Sequence, residues 1–311
     1  MAAPITRGLP REKGAAVIVA MLVVALATIT ASQFLIRSHL ETRRIENLAL
    51  IGQARWLLRA GEQWAATVLW NDARQSSVDH AGEVWAKEMP PVEMEGYRLR
   101  GRIQDQDGRF NLNNLVRDGV IVPAQLAVFV RLLQHLQLQP DLAFAVADWL
   151  DADDVAFDGT GLESKAYHQS GQSALPPNRP LVSLGELAPA RGMTPDVIAQ
   201  LRPYVTLLPE SIRVNLNTAP PELIAALAPE LRLDEAYALV TRRERAHFRN
   251  FGDVVHALPA GTTLDTNLVA FASRYFHVTA YARHGRVALV SQALFRRENG
   301  KFPTLVWRAV F

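Results

Sequence analysis

From Gly14 to Ile36 the chain carries no charged residue, and that stretch constrains everything built around it. At about 1.5 Å per residue, a helix of this length crosses a hydrocarbon core of about 30 Å. Arg7, Arg11 and Lys13 precede it against a lone Glu12, a basic flank of the kind retained on the cytoplasmic side of a membrane. The expected topology is one spanning helix, with the N-terminus inside and the rest of the chain on the far side. A cleaved secretory signal has an apolar core of about 7 to 15 residues and then a small-residue cleavage site, and this run is longer. An uncleaved signal anchor fits these residues equally well.

The helical pattern continues past the apolar run. Ile45, Ala49, Gly52, Trp56, Ala60, Trp64 and Val68 recur near the helical period, with Glu41, Arg44, Glu46, Arg55, Arg59 and Glu62 mostly on other faces. One helix, apolar first and amphipathic afterwards, is expected from about Ala15 to Trp70. At 311 residues the chain should hold two or three folding units. With 49% hydrophobic and 21% charged residues it is neither disordered nor polytopic in composition. The absence of cysteine excludes disulfides, thiolate metal sites and a thiol nucleophile. A formal charge of +2 makes no case for nucleic acid.

Ser76 to Pro91 is polar and ends in Pro90-Pro91, which predicts a loop. Tyr97, Leu99 and Ile103 alternate with Arg98, Arg100, Arg102 and Gln104, which predicts a half-buried strand. Three further strands are expected at Tyr275 to Arg283, Arg286 to Arg297 and Thr304 to Phe311. Between them His284-Gly285 and Glu298-Asn299-Gly300-Lys301 supply turn chemistry. Strand sequence thus lies on both sides of a long helical middle, and an insertion into one antiparallel sheet is the simplest topology.

The middle holds a short repeat. Asn111-Leu112-Asn113-Asn114-Leu115 and Val214-Asn215-Leu216-Asn217-Thr218-Ala219 share an Asn-Leu-Asn core followed by helical sequence. Asn113 or Asn114, and Asn217 or Thr218, are expected helix caps, with Pro220 or Pro221 in the first turn of the second unit. The second start resembles a helix-hairpin-helix unit of DNA-uptake proteins, and Arg242, Arg243 and Arg245 add a basic cluster. Such modules hold phosphate with backbone N–H groups of a glycine-containing hairpin. Here Leu227-Ala228-Pro229-Glu230-Leu231 has no glycine, Pro229 removes an N–H and Glu230 adds negative charge, so a scaffold for protein contacts is the expected use.

Asp148, Asp151, Asp153, Asp154, Asp158 and Glu163 form an acidic stretch with Gly159 and Gly161. Calcium takes about six to eight oxygen ligands, which requires several carboxylates and carbonyls on flexible backbone. The spacing at 151, 153 and 163 is broadly of that kind, but the glycine of an EF-hand loop is missing. A solvated loop capping the next helix accounts for the same residues. The eight histidines show no metal spacing, and no phosphate loop, nucleophile elbow or His-Glu-x-x-His helix is present. The chain is expected not to be an enzyme.

Gly14 after Lys13, directly before the apolar run, resembles the leader of type IV pilins and type II secretion pseudopilins, which prepilin peptidase cuts after the glycine. Cleavage between Gly14 and Ala15 would place Val19 at the fifth mature position, where pilins generally carry Glu; lack of that Glu is typical of the K-type minor pseudopilins. That family is also similar to this chain at Asp105 to Leu115, at Ala147-Asp148-Trp149-Leu150-Asp151-Ala152-Asp153-Asp154 and at Val214 to Ala219.

The resemblance implies an α+β, type IV pilin-like fold, a long N-terminal helix with a small antiparallel sheet, carrying a large helical insertion of SAM-like or helix-hairpin-helix-like type. The implied division is a leader at 1–14, a transmembrane part at 15–36, and a periplasmic helix with the first strand at 37–110. Helical units at 111–208 and 215–272 follow, and then the last strands at 273–311. It implies calcium held by Asp151, Asp153, Asp154, Asp158 and Glu163, with Ser164 standing where the family often has Asp. It further implies a bacterial inner-membrane protein with a periplasmic C-terminal domain and Val19 as a feature of a filament tip. Partners would be the I-type and J-type minor pseudopilins, the inner-membrane platform of the secretion system and prepilin peptidase, with no nucleic acid.

Overall fold

The computed structural model describes residues 13–153, 155 and 176–311. Helix α1 runs unbroken over Lys13–Ala73, three residues past its expected end. Its first half is exposed on all sides, whereas Ala54, Leu58, Glu62, Ala65, Ala66 and Leu69 are buried. Those positions recur three or four residues apart and so share one helix face. Strands β1 (Met89–Met94) and β2 (Tyr97–Asp105) follow.

The insertion begins with β3 (Phe110–Asn111), a 3-10 turn at Leu112–Leu115, and the short pair β4 (Val116–Arg117) and β5 (Val120–Ile121). Helices α2 (Pro123–His135), α3 (Leu142–Leu150) and α4 (Pro195–Leu201) lead to β6 (Val205–Thr206). The next stretch holds β7 (Val214–Asn215), α5 (Pro221–Leu227), α6 (Leu233–Arg245), α7 (Phe251–Val255) and β8 (Val269–Ala270). The chain then returns through β9 (Tyr275–His284), β10 (Val287–Arg296) and β11 (Thr304–Val310).

The sheet order is β1-β2-β9-β10-β11, antiparallel throughout. Because β2 and β9 are neighbours, with Ile103 opposite Val278, the whole stretch between them loops out without interrupting the sheet. This is the inserted arrangement expected, and the last three strands fall within one residue of their expected bounds. Helix α1 lies over β9 and β10, where Leu69, Ile103, Phe276 and Val278 form a core with the edge-on pair Trp85 and Phe276. The insertion has its own core, in which Phe110 stacks on Phe129 at 5.4 Å among Leu132, Val146, Leu223 and Ile224.

One expectation fails at β1. The Pro90-Pro91 segment, read as loop, lies inside an edge strand with a register irregularity between Met89 and Val92. Proline cannot donate to a ladder, but an edge strand at a bulge leaves that donor position unused.

The Asn-Leu-Asn repeat is real in three dimensions, although its asparagines do other work than expected. Asn111 Oδ1 accepts the N–H of Asn113, and Asn215 Oδ1 accepts the N–H of Asn217. Asn113 then clamps Leu181, accepting its N–H at 2.9 Å and donating to its carbonyl at 3.0 Å. Asn217 clamps Phe248 in the same way, at 2.8 Å for both bonds. Both first strands pair in parallel with the last strand of their unit, β3 with β6 and β7 with β8. Asn113 and Asn217 are thus cross-links to distant backbone and not helix caps. Helix α5 begins with Pro221 at its first position and no side-chain cap.

Candidate functional site

The first candidate is the exposed half of α1. Gly14, Ala15 and Val19 lie at its start and are exposed, as are Val17, Leu22, Val23, Leu26 and Ile29 beyond them. Thr28 and Thr30, two of the hydroxyls within this run, donate to the carbonyls of Val24 at 2.7 Å and Leu26 at 2.9 Å. Their polarity is therefore satisfied inside the helix, which suits a lipid environment where unpaired polar groups are costly. Length and apolarity make this helix a candidate membrane span.

The second is a buried polar hub joining the sheet to the insertion. Arg297, directly after β10, donates to Asp72 at 3.1 Å, contacts Asp79 through Nη2, and donates to the Ser273 carbonyl at 3.0 Å. Asp79 accepts the N–H of Ser273 at 2.7 Å. Asn215 donates to the Ser273 hydroxyl at 2.7 Å and to the Asp79 carbonyl at 3.1 Å. At the end of β2, Asp105 accepts from Thr218, and Asp107 accepts the N–H groups of Arg274 at 2.8 Å and Tyr275 at 3.0 Å. Between them a Cβ on Gly108 would sit 3.0 Å from the Thr218 carbonyl carbon, so the turn needs a residue without one.

Burial, with neighbouring Glu83 and Asp79, pushes Asp72 up to about 6, and burial pushes Asp105 to about 6. Asp107 is raised well above its ordinary range by burial and by Asp105. The Asp105 to Leu115 motif is thereby explained as part of the junction that docks the insertion on the sheet. Arg297, Asp72 and Asp79 escaped the sequence reading, and nothing in local spacing marks them. Asp72, Asp79 and Glu83 do bring carboxylate oxygens together, but Arg297 supplies the positive charge there.

The third is the acidic loop after α3. Asp148 is buried, and Asp151 is only 3% exposed. Asp151 Oδ1 has no hydrogen-bond partner among the described residues. Burial, then Asp153 and Asp148, raise its carboxyl to about 7. Asp153 accepts the N–H of Val155 at 2.9 Å, and its carbonyl accepts from Asn178 at 3.2 Å. Asn178 Oδ1 is a second buried oxygen with no partner among the described residues. The structure thus brings Asn178 to the Asp153 carbonyl, and Asp153 acts electrostatically on Asp151; Asn178 was not foreseen because it lies 25 residues along the chain from Asp153. Asp154, Asp158 and Glu163 lie outside the described residues.

In the hairpin-like unit, Glu230 accepts from Thr263 between α5 and α6, while Arg243 donates to the Leu216 carbonyl and Arg242 to that of His256 at 3.4 Å. Two of the three basic residues thus serve the fold.

The comparisons converge. Two family models described as "Type II secretion system (T2SS), protein K" match residues 108–210 and 214–275. Type II secretion system protein K of Pseudomonas aeruginosa is 34% identical over 93% of this chain and 90% of its own length. Its namesake from Aeromonas hydrophila is 29% identical over 92% and 93%. Among solved structures, a chain of the GspK-GspI-GspJ complex from enterotoxigenic Escherichia coli superposes with a TM-score of 0.72, covering 86% of this chain and 99% of that one at 19% identity.

Proposed function

The chain belongs to the type II secretion system protein K family, and from that premise we propose that it is the minor pseudopilin at the tip of a short periplasmic filament. It would act by assembly alone, with no catalytic chemistry, and its partners would be the I-type and J-type minor pseudopilins. The observation that carries this reading is α1 itself: one helix whose lower half is apolar and bare, and whose upper half is buried against a sheet. Such a helix can leave a bilayer and enter a bundle of like helices without refolding. The bilayer would be the bacterial inner membrane, with the N-terminus cytoplasmic and the sheet and insertion periplasmic.

Val19 supports the tip position. A Glu at that place would sit in an apolar helix bundle, where an unpaired carboxylate is costly. In pilins the neighbouring N-terminal ammonium neutralises it, and a first subunit has no such neighbour above. The insertion adds bulk on the same side as an open end would leave room for. Cross-linking of assembled filaments is expected to join this chain to subunits on one side only, and mass spectrometry of the same material to find a mature N-terminus at Ala15. Cross-links from subunits packed above the insertion, or an intact Met1 in cells with active prepilin peptidase, would defeat the reading.

We further propose a calcium ion in the acidic loop. Two buried oxygens with no partner among the described residues, Asp151 Oδ1 and Asn178 Oδ1, on residues that respectively feel the Asp153 charge and bond its carbonyl, support a hard cation that takes oxygen ligands. Asp154, Asp158 and Glu163 would complete the donor set. The ion would place positive charge beside Asp151 and Asp153, and so order the loop. Added calcium at about one hundred times its dissociation constant should stabilise the fold by about 2.7 kcal/mol, visible as a higher melting temperature. Chelator should reverse it, and an Asp151→Ala, Asp153→Ala double variant should show no shift. An equal shift in that variant would remove these ligands from consideration.

A further inference from the structure

The two edges of the sheet are built differently. At β1 the edge is guarded by Pro90, Pro91 and a bulge, together with the charged Glu93. Strand β11 has no proline within Thr304–Val310, and its sole charged side chain is turned away from guard duty: Arg308 Nε donates at 2.7 Å to the buried Glu62 of α1. Leu305, Val306, Trp307 and Val310 are each about two-fifths exposed (39–43%), so apolar surface is open on both faces of the strand. The patch continues through Phe302, which rests 5.9 Å from Trp70 on α1.

The ladder also shows which backbone groups are open. Phe311 and Val290 exchange both hydrogen bonds, at 2.9 and 3.1 Å. In an antiparallel pair alternate residues turn both their groups to the same side, so Ala309 and Trp307 face β10, while Arg308 and Val310 point N–H and C=O outward. Those outward groups have no strand beside them among the described residues.

We propose that β11 is a pairing edge, and that its occupant is an extended strand of another pilin-fold subunit whose membrane helix runs alongside α1. This rests on the reading of the chain as a pseudopilin. Only a strand offers alternating donors and acceptors in register with such an edge, with apolar side chains for both faces. A stable interface takes roughly 20 to 30 residues a side, and seven strand residues fall well short of that. The remainder must come from surface continuous with β11, and Trp70 with Phe302 leads from the strand onto α1.

A second copy of this chain fits poorly. Antiparallel pairing of two β11 strands in one continuous sheet relates the copies by a two-fold axis normal to it, so their α1 helices, lying along the same face, would run in opposite directions. Pairing β11 of one copy to β1 of the next meets Pro90 and Pro91.

The test uses the full chain in nanodiscs with its I-type and J-type partners. Two variants act on the edge alone: Val310→Pro removes an outward N–H, and Val306→Lys with Val310→Lys adds the charge that natural edges use as a guard. Both should keep the wild-type melting temperature yet bind the partners at least tenfold more weakly, and hydrogen exchange at Arg308 and Val310 should slow in the wild-type complex. If wild type binds but the variants bind equally and exchange is unchanged, the pairing edge is wrong and the proposed function stands. If wild type does not bind the partners at all, the proposed function itself fails. Self-association of the isolated chain that these variants abolish would overturn the inference in favour of a second copy.

Discussion

Replacing Arg297 with Met should lower folding stability by about 3–5 kcal/mol near neutral pH, the range for removing one member of a buried ion pair. The guanidinium is buried between Asp72 and Asp79, and the Asp79 side chain is 2% exposed. Without it two carboxylates face each other with Glu83 nearby and no cation between them. The loss should depend on pH in a defined direction. Asp72 titrates at about 6 in the folded chain against 3.8 ordinarily, and Asp79 is also raised. A folded-state value above the unfolded one means that the native state holds more protons between the two, so stability falls as pH rises through that window. Removing Arg297 pushes both carboxyls higher still. The deficit should therefore be largest above about pH 7 and shrink towards pH 4, where neutral carboxyls need no partner. Urea unfolding followed by tryptophan fluorescence at both ends of that window measures it. Arg297→Met combined with Asp79→Asn should recover part of the loss, since the amide oxygen can still accept the Ser273 N–H. A deficit independent of pH would show that Arg297 acts through packing alone.

Asn217→Ala should cost about 4 kcal/mol, since it strands two buried backbone groups at about 1–3 kcal/mol each. The two 2.8 Å bonds satisfy the N–H and carbonyl of buried Phe248, in a segment outside regular helix. The damage should be local as well as global. Amide exchange of Phe248 and of α7, which begins three residues later, should quicken beyond what the overall stability loss accounts for. Asn217→Asp keeps an acceptor for the N–H but sets a carboxylate against the carbonyl, and should be no better than Ala. Asn113→Ala should reproduce the effect at Leu181, because the geometry is the same. Unchanged exchange at Phe248 in Asn217→Ala would mean that the clamp contributes nothing.

The two halves of the Asn-Leu-Asn repeat separate local from distant causes. That each segment starts a helical unit was legible, since helical sequence follows at once and Pro221 falls where a first turn tolerates it. The role of the second asparagine was not, because its partner lies 68 residues away in one unit and 31 in the other. The same holds for the acidic loop. Asp151 and Asp153 are near neighbours in the sequence and were singled out through the family resemblance, whereas Asn178 meets the Asp153 carbonyl from 25 residues further along.

What the sequence determined by itself is whatever near neighbours along the chain control. The apolar run and helical period specified α1, and alternation with glycine-bearing turns specified β9, β10 and β11 almost to the residue. The inserted topology followed from strands on both sides of a helical middle. Tertiary structure alone decided the proline-bearing edge strand β1, because an edge forgives a missing donor and no local pattern says which strand will be an edge. It alone decided the partners of Arg297, which stand 225 and 218 residues away at Asp72 and Asp79. Side-chain chemistry restricts each of these groups to partners of opposite charge. Which carboxylates are close enough, and dry enough to matter, is settled only when the sheet closes and water is excluded from between them.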